Sequence, residues 1–319
     1  MMATVAAPFQ KIKHGLFMSD TNHTTEPVPP HLFCFGLGYS AGWLARELQH
    51  QGWRISGTHR AQDMKGYQPA PGRYAFDRDH PIEDFDAVFA DVTHVLISAP
   101  PDAAGDPVLD VHGDDLIRHA RHIQWLGYLS TVGVYGNTDG KPVNETSRLL
   151  PTQERSRFRG LAETRWQNLA VRAQLPLHVF RLAGIYGPGR SPLDKVRAGR
   201  MQRVTKPGHL FSRIHVADIA NVLKASMAKP NPGSIYNVAD DNPAQPSDVI
   251  AYACELLGVE PPAEVSFDEA LPTMSPMQQT FWADNRLIMN DKIKDELGVQ
   301  LDYPDYKSGL QAVLAVEGV

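Results

Sequence analysis

The chain has 319 residues, which is enough for one large α/β domain or for a nucleotide-binding domain with a smaller partner. Hydrophobic residues make up 42% of it, so most of the chain can bury a core. The formal net charge of −5 argues against a nucleic-acid partner, because such proteins usually carry a basic excess. The sequence has no apolar run near the roughly 18 residues that a membrane-spanning helix needs, so no membrane partner is expected.

The first 30 residues differ from the rest of the chain. They contain four prolines and no hydrophobic periodicity, which predicts a disordered tail over residues 1–30. Met18 could be the true start, which would leave residues 1–17 outside the protein. The two cysteines, Cys34 and Cys254, lie far apart in apolar segments and are predicted to be buried thiols of a cytoplasmic protein.

From residue 31 onward, apolar runs of strand length alternate with segments of helical spacing. The predicted strands are 32–35, 54–58, 95–97, 124–130 and 177–182, and the predicted helices between them are 41–51, 108–122 and 161–174. The second half is more broken, with predicted helices at 214–227, 247–258 and 291–298 and a strand at 234–238. Ser247 is the expected N-cap of the middle helix and Gly258 its C-cap. The alternation predicts βαβ units and a parallel sheet.

A glycine-rich segment, Gly-Leu-Gly-Tyr-Ser-Ala over residues 36–41, lies between the first predicted strand and the first predicted helix. A dinucleotide-binding fingerprint requires this context. The first glycine permits the tight turn, the second lets the backbone approach a pyrophosphate, and the alanine still allows close packing of helix against strand. The following helix N-terminus would offer N–H groups and partial positive charge to the phosphates. The predicted dinucleotide-binding residues of this segment are Gly36, Gly38, Tyr39, Ser40 and Ala41.

The fold class predicted from these features is α/β, a Rossmann doubly wound parallel sheet with a smaller C-terminal substrate-binding part. We assign residues 31–182 to the NAD(P)-binding domain and residues 183–319 to the substrate part, or lid. Some segments of the second part are expected to return to the main sheet.

The end of the second predicted strand selects the cofactor. NAD-binding proteins usually place Asp or Glu there to accept the ribose hydroxyls, whereas this chain has no carboxylate before Asp63. Arg60 can form charge-assisted hydrogen bonds with a 2′-phosphate, and Thr58 and His59 could assist it. NADP is therefore the predicted cofactor, with NAD as the alternative. Further cofactor-binding candidates after the third and fourth strands are Asp77, which could face the adenine, and Ser98.

Four further motifs follow the glycine-rich segment in order. They are Ser-Thr-Val-Gly-Val-Tyr-Gly at 130–136, Arg-Leu-Ala-Gly-Ile-Tyr-Gly-Pro-Gly at 181–189, Ile-His-Val-Ala-Asp-Ile-Ala at 214–220 and Tyr-Asn-Val-Ala-Asp at 236–240. Together they resemble the extended short-chain dehydrogenase/reductase superfamily, the NAD-dependent epimerase/dehydratase group, over residues 32–312. The residues of these motifs are most similar to those of the atypical YeeZ-like members.

The resemblance implies a catalytic pattern from which this sequence departs. In the family, a Ser or Thr four residues before the Tyr of the Val-Tyr-Gly motif binds the reacting oxygen, and here that position is Thr131. A second Tyr about 25 residues later exchanges a proton with the substrate, assisted by a Lys four residues after it. Aligning the helix on Glu163 places Arg155 at the Tyr position and Arg159 at the Lys position. Neither can act as an ordinary acid or base, because arginine stays protonated.

Other residues could take over parts of the site. Tyr135 is the first candidate for the missing phenol, although in the family this Tyr is usually structural or lines the pocket. Thr131 could donate to a substrate oxygen or merely cap its strand. Arg159 could hold a ribose or phosphate oxygen, and Tyr186 could line the nicotinamide pocket.

A basic cluster precedes the predicted helix at 214–227. In nucleotide-sugar epimerases this region contacts the substrate diphosphate, so the resemblance implies an anionic-substrate role for Lys206 and Arg213. The alternative is ordinary solvated charge. His119 and His122 are three residues apart, but no further ligand pattern accompanies them, so no metal site is predicted.

Two functions remain open from the sequence. The first is an NADP(H)-dependent oxidoreductase or epimerase/dehydratase-type enzyme on a small sugar-like or nucleotide-sugar substrate. The second, motivated by the absent Tyr–Lys pair, is a non-catalytic NADP(H)-binding sensor or scaffold. A weaker third is a protein- or RNA-binding module that reuses the fold. Family analogy favours a homodimer.

Overall fold

The computed structural model describes residues 28–60 and 71–317. Most of the predicted tail, the alternative start at Met18 and the carboxylate of Asp63 lie outside the described residues.

Strands and helices alternate along the described chain. In chain order the strands are β1 (His31–Phe35), β2 (Arg54–His59), β3 (Arg73–Ala75), β4 (His94–Ile97), β5 (Trp125–Thr131), β6 (Pro142–Val143), β7 (Leu177–Leu182), β8 (Gly184–Tyr186), β9 (Arg203–Thr205), β10 (Arg213–His215), β11 (Ile235–Val238), β12 (Glu264–Ser266) and β13 (Leu287–Ile288). The α-helices are α1 (Tyr39–His50), α2 (Phe85–Phe89), α3 (Pro107–His119), α4 (Glu154–Ala173), α5 (Pro192–Arg197), α6 (Val216–Ala228), α7 (Pro246–Leu256), α8 (Phe267–Ala270), α9 (Pro276–Ala283), α10 (Asp291–Asp295) and α11 (Tyr306–Glu317).

Seven parallel strands form the central sheet in the order β3-β2-β1-β4-β5-β7-β11. The first six follow the order of a doubly wound dinucleotide-binding sheet, and the predicted fold class is confirmed. The strand β11, from the C-terminal half, pairs with β7 at one edge of the sheet.

The sheet is covered on both faces, which explains why its strands are continuous apolar runs rather than alternating ones. In β1, Leu32 and Cys34 face one apolar cluster, which includes residues of α1 and α6. Phe33 and Phe35 face the other, which includes residues of α2, α3 and α4. Cys34 and Cys254 are both free and buried, as predicted.

Helix α4 begins at Glu154, seven residues before the predicted start at Leu161. Its first two turns are polar and carry several arginines, so hydrophobic periodicity could not detect them. The predicted start was wrong at the part of the helix that lies beside the candidate site.

Two helix starts in the C-terminal half also differ from the prediction. The predicted helix at 214–227 begins instead at Val216, where the Ala217 N–H donates to Nδ1 of His215 (3.3 Å) and caps the helix. Ser247 is not the N-cap of α7. That helix starts at Pro246, whose fixed φ suits the first helical position, and Gln245 is its N-cap.

The remaining strands form three two-stranded parallel pairs, β8 with β10, β9 with β12 and β6 with β13. Helices α5, α7 and α11 contribute to one apolar cluster beside Tyr186, and a smaller cluster surrounds Trp282. None of the helices in residues 28–60 and 71–317 combines the length and apolarity needed to cross a lipid bilayer.

Candidate cofactor and substrate site

The strand order reverses between β1 and β4, so the connections leaving their carboxyl ends diverge and open a crevice. The glycine-rich segment follows β1 there, and Ser98 follows β4. Backbone N–H groups of Ser98 and Ala99 both donate to the carbonyl of Phe35, at 2.8 and 2.9 Å. The two sides of the crevice are therefore joined at its base by backbone hydrogen bonds.

Gly36 makes the tight turn out of β1. Its φ is +87°, and a Cβ at this position would lie 2.9 Å from the backbone nitrogen of Ala99. The Gly36 N–H donates to Oγ1 of Thr58, and the Leu37 N–H donates to the Thr58 carbonyl, both at 2.8 Å. Thr58 is 2% exposed, so the geometry favours a role in holding the turn over the contact with a 2′-phosphate predicted from the sequence.

Gly38 is the N-cap of α1, and it leaves open space in front of the helix. Among residues 28–60 and 71–317, no atom lies within 4 Å of a Cβ built on Gly38 and no side chain caps the helix, whose first turn has no acidic residue. Ser40 and Ala41 are buried beneath this turn. An uncapped helix N-terminus beside open space suits a pyrophosphate, because its N–H groups and partial positive charge stabilise an anion.

Tyr39 joins the glycine-rich segment to the C-terminal half. Its hydroxyl donates to the carbonyl of Pro188 (3.0 Å), and the Arg190 guanidinium lies 5.8 Å from the ring centroid. A Cβ on Gly187 would lie 2.6 Å from the Tyr39 oxygen, so only a glycine permits this approach. The side chain of Tyr39 is thus a link between the two halves.

At the carboxyl end of β2, His59 is the last strand residue and Arg60 follows it. Asp77 lies just beyond β3, where its Oδ1 accepts hydrogen bonds from the N–H groups of Asp79 and His80 and lies 2.6 Å from Nδ1 of His80. The bond to His80 lowers the pKa of Asp77. Because the carboxylate is engaged in its own turn, contact with an adenine would fall to its remaining oxygen.

Thr131 is the last residue of β5, at the carboxyl edge of the sheet. Its Oγ1 accepts a hydrogen bond from the Gly133 N–H (3.1 Å) and so caps the 3-10 turn over 132–135. Among the described residues, no group accepts a hydrogen bond from the Thr131 hydroxyl. Thr131 therefore caps the 3-10 turn, and its hydroxyl hydrogen is available to donate to a substrate oxygen.

The two arginines predicted at the family's Tyr and Lys positions differ in their surroundings. Arg155 is exposed in the first turn of α4. Arg159 is half-buried, its Nη1 donates to the carbonyl of Leu129 (2.7 Å), and its guanidinium lies 5.5 Å from the ring centroid of Tyr128. Arg159 thus links α4 to β5 through a hydrogen bond.

Tyr135 lies within a buried polar network. Its hydroxyl donates to Oδ1 of Asn237 (2.7 Å) and accepts from Nη1 of Arg181 (2.8 Å). Arg181 in turn binds both carboxylate oxygens of Glu163, which also accepts from the Ser130 hydroxyl. The Tyr135 side chain is 1% exposed, and burial raises its pKa. This arrangement favours a structural role over the catalytic one predicted from the sequence.

Tyr186 is also buried, at 5% exposure. Its hydroxyl donates to the carbonyl of Asp305 (3.3 Å), and its ring packs directly against Gly309 of α11, where a Cβ would collide with it. Burial raises the pKa of Tyr186 far above its usual value. These contacts favour packing over the predicted place in a nicotinamide pocket.

Lys206 and Arg213 both bind backbone carbonyls. Nζ of Lys206 donates to the carbonyl of Trp282 (2.9 Å) and lies 4.3 Å from the ring centroid of Phe267. Nη1 of Arg213 donates to the carbonyls of Phe211 and Ala244, at 2.9 and 3.1 Å. Neither side chain is simply solvated, and the predicted contact with an anionic substrate would have to use their remaining N–H groups.

Sequence reasoning missed two features. The pairing of Glu163 with Arg181 joins helix α4 to the motif at 181–189, and no local pattern shows that the two meet. Ser156, in the first turn of α4, is buried beside Gly133 and stands next to a position that the family pattern assigns to tyrosine. In the part of the chain that the structure describes, no group of three or more His, Cys, Asp or Glu side chains is placed to hold a metal ion.

Comparisons with known proteins place this architecture among relatives. No protein-family model matches the chain. The protein YeeZ of Escherichia coli K12 is 28% identical over 283 residues, which cover 85% of this chain and 95% of YeeZ. A solved structure of a functionally unknown conserved protein from Silicibacter pomeroyi DSS is 50% identical with a TM-score of 0.81, covering 90% of this chain and 99% of that one.

A more distant solved structure shares the fold. It is a dTDP-glucose 4,6-dehydratase from Bacillus anthracis, solved in complex with NAD. It is 20% identical with a TM-score of 0.68, and the match covers 90% of this chain and 96% of that one.

Proposed function

We propose that the chain is a member of the extended short-chain dehydrogenase/reductase superfamily, with the NAD-dependent epimerases and dehydratases, and that it binds NADP(H) as its cofactor. We propose further that it acts as an oxidoreductase or epimerase/dehydratase-type enzyme on a small sugar-like or nucleotide-sugar substrate. A bound dinucleotide supplies the hydride chemistry, and the protein binds, orients and polarises.

The observation that carries the proposal is the open N-terminus of α1. Gly36 is held in its turn by Thr58, and no atom of the described residues lies within 4 Å of a Cβ built on Gly38. The residues present fit a pyrophosphate, since the backbone can approach it closely and no side chain competes for the helix N–H groups. The dehydratase from Bacillus anthracis holds NAD within the same fold.

The preference for NADP(H) is supported by the end of β2. The strand and the residue after it carry no carboxylate to accept the ribose hydroxyls, and Arg60 supplies a guanidinium there. Guanidinium groups bind phosphates through paired, charge-assisted hydrogen bonds.

Arg60→Ala tests this preference, with Arg54→Ala as a matched control. Arg54 lies at the opposite end of the same strand, is exposed and pairs with Asp91. A charged hydrogen bond contributes about 1.5–3 kcal/mol, so we expect Arg60→Ala to weaken NADPH binding about 10- to 150-fold. NADH binding by this variant, and both affinities of Arg54→Ala, should be unchanged in fluorescence titrations. A wild-type protein that prefers NADH, with a preference that survives Arg60→Ala, would refute the assignment.

A second candidate function is a non-catalytic NADP(H)-binding sensor. It is favoured by Arg155 and Arg159, because one is exposed and the other is bound to the Leu129 carbonyl, so neither supplies a phenol or an amine. A turnover screen with nucleotide sugars and small carbonyl compounds separates the two. Tight NADPH binding without turnover of any compound in the screen would support the sensor.

A further inference from the structure

A serine of helix α4, Ser156, faces the end of β5. Arg155 is the residue predicted at the family's tyrosine position. Ser156 is the third residue of the helix and is 9% exposed, whereas Arg155 is exposed. A Cβ built on Gly133 would lie 2.5 Å from Oγ of Ser156 and 3.4 Å from Oγ1 of Thr131. The hydroxyls of Thr131 and Ser156 therefore lie on either side of Gly133. Because Gly133 has no side chain, α4 can pack closely against the turn that follows β5.

The Ser156 hydroxyl neither caps a helix nor bonds to another described residue. It is not a helix cap, because the N-cap of α4 is Gln153. Within residues 28–60 and 71–317 it has no hydrogen-bond partner in the structure, and Thr131 likewise has no acceptor for its hydroxyl hydrogen. Because its oxygen is not fully buried, the Ser156 hydroxyl can hydrogen-bond to water or to a bound ligand.

We propose that Thr131 and Ser156 form a two-hydroxyl site that holds the reacting oxygen of the substrate, in the place where the family uses a tyrosine. The inference rests on the proposed function and extends it, since Ser156 becomes a further catalytic residue. Two O–H donors at the end of a parallel sheet suit a carbonyl oxygen that gains negative charge during reaction.

The source of the proton differs from that in an enzyme with a catalytic tyrosine. In a reduction, the carbonyl carbon takes up a hydride from the reduced nicotinamide, and the electron pair of the C=O bond moves to oxygen. The two hydroxyls donate hydrogen bonds to the resulting alkoxide, which takes its proton from water. The product is an alcohol. Serine and threonine do not ionise near neutral pH and therefore stabilise charge without transferring a proton.

The test uses dihydroxyacetone, a small sugar-like ketone, as the probe, and it has two readouts. Saturation-transfer NMR measures its binding to the full chain loaded with NADP⁺, which cannot reduce it. Removing one neutral hydrogen bond should weaken binding about 2- to 10-fold in Ser156→Ala and in Thr131→Ala. With NADPH, kcat should fall further, about 100-fold, because the bonds strengthen as charge develops.

The controls separate this role from a structural one. Thr131→Ser keeps a hydroxyl and should restore both readouts, and Arg155→Ala should change neither. NADPH affinity and the melting temperature of Ser156→Ala should match the wild type. The inference is overturned if Ser156→Ala binds and reduces the probe as the wild type does, or if the NADP⁺-loaded wild type does not bind the probe. Failure of the wild type to bind any dinucleotide would instead refute the proposed function.

Discussion

The carboxyl ends of β1 and β5 lie in the same sheet but carry their chemistry in different ways. After β1, the decisive groups belong to the backbone: the turn at Gly36, the space before Gly38 and the N–H groups of α1. After β5, the groups that matter are side chains, and the alignment on Glu163 predicts Arg155 and Arg159 at the positions where the family has its Tyr–Lys pair. A site made of backbone survives changes of side chain, whereas a site made of side chains changes its chemistry with each substitution.

The largest effect is expected on the β5 side, from Glu163→Ala. The variant would leave the buried guanidinium of Arg181 without its partner, and breaking a buried pair in this way costs about 3–5 kcal/mol. Urea unfolding measures the loss. Glu154→Ala, an exposed acid at the start of the same helix, should change stability by less than about 0.5 kcal/mol. A loss below about 1 kcal/mol for Glu163→Ala would show that the network does not hold this side of the site.

Two glycines on the β1 side should respond in opposite ways. Gly36→Ala places a Cβ at positive φ and against the Ala99 backbone, so we expect a loss of about 1–3 kcal/mol in unfolding free energy. Gly38→Ser should fold as well as the wild type, because serine is a favoured N-cap and the position is open. Its side chain would occupy the space proposed for the pyrophosphate, so NADPH binding should weaken. If Gly38→Ser binds NADPH normally, the pyrophosphate does not lie there.

A smaller effect is expected from Thr58→Val, which links β2 to the turn. Valine has nearly the same shape but cannot accept from the Gly36 N–H, and an unsatisfied buried donor costs about 1–2 kcal/mol. Thr58→Ser keeps the acceptor and should retain most of the stability. Equal thermal melts for the two variants would contradict the role given to the hydroxyl.

The smallest effects compare the two arginines of α4. Arg159→Ala removes a hydrogen bond to the Leu129 carbonyl, which we expect to cost about 1 kcal/mol. Arg155→Ala removes an exposed side chain and should stay within about 0.5 kcal/mol of the wild type in urea unfolding. The reverse order would mean that the helix is aligned differently on β5.

The same contrast explains what the sequence could predict. The turn at 36–41 was predictable because positive φ and close backbone approach select glycine, and the apolar strands were predictable because both faces of the sheet are buried. The start of α4 was not, because its first turns are polar and held by tertiary contacts such as that of Arg159 with β5. The place of Ser156 depends on that start, and so it was missed as well.

Long-range polar contacts were equally beyond the sequence. The hydroxyl of Tyr135, a predicted catalytic candidate, lies between Arg181 and Asn237, which are 46 and 102 residues further along the chain, and these contacts favour a structural role. Lys206 looked like a free cation, but its ammonium group binds the carbonyl of Trp282, 76 residues away. Residue type and spacing along a strand or helix do not encode such partners.

Non-denaturing mass spectrometry of the protein as purified, and after titration with NADPH, shows whether a dinucleotide binds at the glycine-rich turn. We expect one dinucleotide per chain, retained by the wild type and by Thr58→Ser and bound more weakly by Gly38→Ser. A folded protein that takes up neither NADPH nor NADH at millimolar concentration would contradict this expectation.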